Sequence, residues 1–132
     1  MNATDTTIIA EVAAEFGRAS QRFTAAKADF IKTAELSPAA AVGWARTVAT
    51  EEAEYVEWMR LHERLAKVGE DEEGKPAVIL KEFVEDLLDT ILCNVGGGQS
   101  TCPFTRAKFA AEQDGTKSAL KAMRRLARKR CL

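Results

Sequence analysis

The chain has 132 residues, enough for one domain that buries a core without disulfides or metals. Apolar residues make up 46% and charged residues 30%, which excludes a disordered chain, and no run of 18 apolar residues offers a transmembrane span. The net charge of −1 conceals a division, with residues 1–100 at a net −8 and residues 101–132 at a net +7.

Such asymmetry points to electrostatic contact with a nucleic acid, a membrane surface or an acidic protein face. The opening residues Met1, Asn2, Ala3, Thr4 and Asp5 lack the basic and apolar segments of a secretory signal. Three cysteines is an odd count, which fits a reducing compartment. The expected setting is therefore cytoplasmic.

Helical periodicity dominates, and the expected fold is an all-α antiparallel bundle of four to five helices. A first helix is predicted over residues 5–36, capped by Thr4 or Asp5. Its apolar positions, Ile9, Val12, Phe16, Ala19, Phe23, Ala26 and Phe30, recur in a heptad pattern. Large Phe residues alternate with small Ala residues, so a partner helix with the reverse alternation would interdigitate. Ile8 and Ile31 widen the stripe at its ends, and Gly17 marks a candidate close crossing.

Ser37 followed by Pro38 ends this helix and caps the next. The second helix is predicted over residues 38–68, with Trp44, Val48, Tyr55, Trp58, His62 and Leu65 along one side. So short a turn between two long helices predicts an antiparallel hairpin. After an acidic loop holding Glu70, Asp71, Glu72 and Glu73, a third helix is predicted over residues 76–92. Leu80, Phe83, Val84, Leu87, Leu88 and Ile91 give it a broad core face.

Residues 93–102, with Gly96, Gly97 and Gly98, read as a flexible connector that lets the C-terminal unit reorient. Pro103 opens a further helix, which Asp114 and Gly115 could end or kink, with Thr116 recapping. Leu120, Met123 and Ala127 form its apolar side. The chain thus reads as one domain, 1–132, made of an acidic three-helix body (1–92), the connector and a basic helical unit (103–132).

That basic unit is the main functional candidate. Lys117, Lys121, Arg124 and Arg128 are spaced 4, 3 and 4 apart and so share one helical face. Arg125, Lys129 and Arg130 extend the patch, and Arg106 and Lys108 sit on earlier turns. Cations at this spacing can follow a phosphate backbone, driven by counterion release, with nothing to read bases. Two other readings compete: a solvated helix end complementing its own dipole, and ion pairing with the acidic stretch 51–73.

Trp44, Tyr55 and Trp58 form a second candidate, as anchors of a protein interface, with core packing as the competing reading. Catalytic and metal-binding motifs are missing. His62, the only histidine, is followed by Glu63 but lacks the second His of a zincin helix. Cys93, Cys102, Cys131 and His62 match a Cys₃His ligand count but not its spacing, so free thiols and no metal or cofactor are expected. The glycine run precedes Ser100 and a helix start, yet it lacks the Walker Lys–Ser/Thr pair.

The expectation is a non-enzymatic helical subunit of a larger nucleoprotein assembly. It would contact RNA, or second to it DNA, through the backbone alone, beside other protein subunits that include copies of itself. In size and character, though through no shared motif, it is similar to the small helical subunits of CRISPR effector complexes. The alternatives are a phage-type adaptor or inhibitor docking a charged protein surface, and a homo-oligomeric structural protein built on the Phe heptad. Neither a membrane nor a small-molecule substrate is expected.

Overall fold

The computed structural model of the chain describes residues 1–93 and 101–130. The glycine run at 96–98, Ser100 and Cys131, which carried part of the connector, anion-cradle and thiol readings, lie outside the described residues. Four helices make up the described fold: α1 (Ala3–Leu36), α2 (Pro38–Ala66), α3 (Lys75–Cys93) and α4 (Pro103–Lys129). Among the described residues no helix is long and apolar enough to cross a membrane.

Each start follows local chemistry. The Asn2 side chain, rather than Thr4 or Asp5, caps α1 by accepting the Asp5 N–H at 2.8 Å. Asp5 is freed for another task. Its buried carboxylate accepts the N–H of Gly74 at 2.9 Å, fixing the approach to α3 against the start of α1. Gly74 has φ of 81°, a conformation that favours glycine. Ser37 accepts from Ala40 and caps α2, with Pro38 in its first turn. The stop or kink expected at Asp114 and Gly115 does not occur, and α4 runs unbroken through both.

α1 and α2 form the antiparallel hairpin. Tyr55 stacks on Phe16 at 5.5 Å and lies 5.3 Å from Phe23, in the interval left by Ala19. His62 stacks on Phe16 at 5.0 Å. Arg22 joins the two helices through Glu51 at 3.3 Å and Glu54 at 3.1 Å.

α4 packs along α2 in the same direction. Thr50 donates its hydroxyl to the carbonyl of Ala111 at 3.0 Å. At Gly115 the two backbones come close: a Cβ there would run into the Thr50 carbonyl oxygen. Gly17, the expected crossing point, has open space instead. α3 is the short helix, 19 residues against 34 in α1, and covers only the end of the bundle where α1 begins.

Core position follows from this uneven coverage. Ile8, Val12, Trp58, Leu61, Leu65, Leu80, Phe83, Leu120, Met123 and Leu126 belong to one buried cluster. Leu61 was absent from the predicted apolar side of α2. It is buried because α2 packs against α1, α3 and α4 at once. Ile31, expected in the stripe, is exposed, because α3 does not reach its level. α4 supplies Ala119, Leu120, Met123 and Leu126 to the shared core, so reorienting it as a unit would uncover that cluster.

Candidate nucleic-acid interface

α4 is two-faced by sequence. Ala111, Gly115, Ala119, Met123 and Leu126 recur every three or four residues and turn inward. That fixes the rotation of the helix and forces Lys117, Lys121, Arg124 and Arg128 outward, where all four are exposed. Together with Arg125 and the buried Leu120 they line a groove of about 450 Å³ on the outside of the bundle. Among the described residues, no carboxylate forms an ion pair with these four side chains. The stripe spans twelve residues from Lys117 to Arg128, a straight rise of about 16 Å.

The other predicted cations are placed differently. Lys129 lies 3.8 Å from Glu11, and Arg130 donates to the same carboxylate. Glu11 therefore offsets the end of the patch, which no local signal announced because the partners are 119 residues apart. Lys108 lies 3.9 Å from Glu112, one turn along its own helix. Arg106 is exposed on the face of Lys117 but three turns earlier, with Ala110 and Gln113 between.

Arg125 sits at the edge of the stripe and also lines a larger groove of about 900 Å³ between α1 and α4. That groove mixes signs, with Arg18 paired to Glu15 and Arg22 paired to Glu51 and Glu54. Desolvation raises the Glu54 carboxyl above its ordinary range, against the opposing pull of Arg22.

No ion pair among the described residues joins the basic helix to the acidic stretch 51–73. Glu51 and Glu54 are taken by Arg22, and Glu57 by Arg60 at 2.8 Å.

The aromatic candidates divide in the same way. Trp58 is 0% exposed and belongs to the core, so it offers no surface to a partner. Tyr55 is half-buried between Phe16 and Phe23. Trp44 alone sits near the uncovered end of the hairpin, where it is half-buried. That end carries a feature the sequence reading missed. Leu36 is 80% exposed and Phe104 74%, and Ile31 and Val42 are exposed as well. Periodicity could not find them, because it marks an apolar face without saying how far the covering helix extends.

His62 is engaged with Phe16, and Cys93 and Cys102 are exposed. Among the described residues no group of three His, Cys, Asp or Glu side chains is placed to hold a metal ion. Comparison with protein-family models, with curated proteins and with solved structures finds no match to this chain.

Proposed function

We propose that the protein binds nucleic-acid phosphates through the outer face of α4, without reading sequence, as a non-enzymatic subunit of a nucleoprotein assembly. The observation that carries this reading is the stripe of Lys117, Lys121, Arg124 and Arg128, exposed, collinear and without ion pairs to the described residues. A cation held by an acidic neighbour must give up that pair before it can displace a counterion from the nucleic acid, whereas one without such a pair need not. Lys129 and Arg130, tied to Glu11, contribute less.

Fluorescence anisotropy with mixed-sequence RNA and DNA across a salt series tests this. Binding should weaken steeply with salt, and charge reversal at Arg124 and Arg128 should abolish it. Absence of binding at low salt, or binding unchanged by the reversal, would reject the reading.

A second reading, contact with another protein subunit, is favoured by the apolar end of the hairpin. Leu36, Phe104, Ile31 and Val42 are all exposed towards that end, and clustered exposed apolar residues mark protein contacts. The two readings use opposite parts of the molecule and are compatible.

A further inference from the structure

Resting on the phosphate-binding reading, we propose that the stripe on α4 takes the backbone of a duplex rather than a single strand. Single strands are held by channels that combine cations with exposed rings on which bases stack, each stack worth about 1–3 kcal/mol. Among the described residues, no such ring borders the stripe. Trp58 is buried, Tyr55 is stacked against Phe16 and Phe23, and Phe109 is half-buried. The exposed Phe104 lies thirteen residues before Lys117, about 20 Å along the helix. Among the described residues the groove is lined by α4 alone, and none of them forms a second wall to enclose a flexible strand.

What the stripe does offer is rigidity. Ala119, Leu120, Met123 and Leu126 anchor the inner side of the same turns in the core, which fixes the backbone positions that carry the outer cations in a straight row. A fixed row suits a fixed lattice of phosphates. Over about 16 Å of its axis a duplex presents roughly ten phosphate charges on its two strands, ample for four cations. No side chain of the stripe needs to reach a base, so the duplex can be DNA or RNA.

The test is a salt-dependent anisotropy titration with a mixed-sequence 20-base-pair duplex, in DNA and in RNA form, and with each separated strand. The duplex should bind at least about tenfold more tightly than its strands, with log K falling against log salt at a slope of about −3.6 for four contacts. Lys121→Gln and Arg124→Gln should each make that slope shallower by about 0.9. Both residues are exposed and without ion pairs to the described residues, so circular dichroism should show the variants folded as the parent. Strands binding as tightly as the duplex, with the same dependence on Lys121 and Arg124, would overturn the duplex inference and leave phosphate binding standing. Failure of every nucleic acid to bind at low salt would overturn both.

Discussion

Trp58 is the largest side chain that the fold removes fully from water. Its indole N–H has no acceptor among the described residues, so it contributes by size rather than by hydrogen bonding. Truncation to Ala should cost about 3–5 kcal/mol, and replacement by Phe, which also deletes the orphan donor, distinctly less. Urea denaturation of Trp58→Ala and Trp58→Phe checks the order. Partner-binding assays with Trp58→Ala would report this instability and nothing about an interface.

Glu57 shows how a residue's setting reverses its ordinary effect. Desolvation lifts its carboxyl above the usual range, although Arg60 pulls the other way. The folded state therefore holds the proton more tightly than the unfolded chain. Stability falls as pH rises from the unfolded value, about 4.3, through the raised folded value, and the cost is complete above it. Glu57→Gln should accordingly raise the melting temperature at pH 7 and change it little near pH 4, which thermal unfolding at the two pH values measures.

At the scale of an element, two glycines in helices have opposite meanings. Gly115→Ala would drive a Cβ into the Thr50 carbonyl oxygen and to 2.9 Å from the Ala53 Cβ, and both obstacles are held by α2. Overpacking of this kind costs about 1–3 kcal/mol, and the shift must move α4 away from α2. Gly17→Ala meets nothing within 4 Å and should stabilise α1 by about 0.5–1 kcal/mol. Equilibrium unfolding of the two single variants should move in opposite directions.

Helix identity and the basic stripe were legible in the sequence because each rests on local spacing: the heptad from Ile9 to Phe30, Ser37 before Pro38, and the 4, 3, 4 interval of the cations. The crossing glycine was not legible. In sequence, Gly115 follows Asp114 like a helix stop, and only the approach of α2 gives it another purpose. Glu11 was equally hidden, since nothing local joins the first helix to the last.

On the scale of the whole molecule, the charge division of the chain becomes a division of surfaces. Lys117, Lys121, Arg124 and Arg128 face outward along one side of α4, while the apolar residues Ile31, Leu36, Val42 and Phe104 mark the end that α3 leaves uncovered. A nucleic acid on the stripe should stabilise the fold by mass action, since α4 is part of the core, by about 2.7 kcal/mol at a concentration one hundred times the dissociation constant, and so raise the melting temperature. Replacing Leu36 and Phe104 by Ser should leave that stabilisation intact while removing any association through the apolar end. Thermal shift with and without a duplex, run beside light scattering, separates the two surfaces.

The contribution of α4 to the core also bears on how the chain emerges from the ribosome. When residue 93 has been added, Trp58, Leu61 and Phe83 are all present, but Leu120, Met123 and Leu126 are not. The nascent hairpin and α3 must therefore wait with an uncovered apolar face until the basic helix is synthesised. Closure of the core is deferred until α4 has been made and has emerged, and that helix brings with it most of the cations of its outer face.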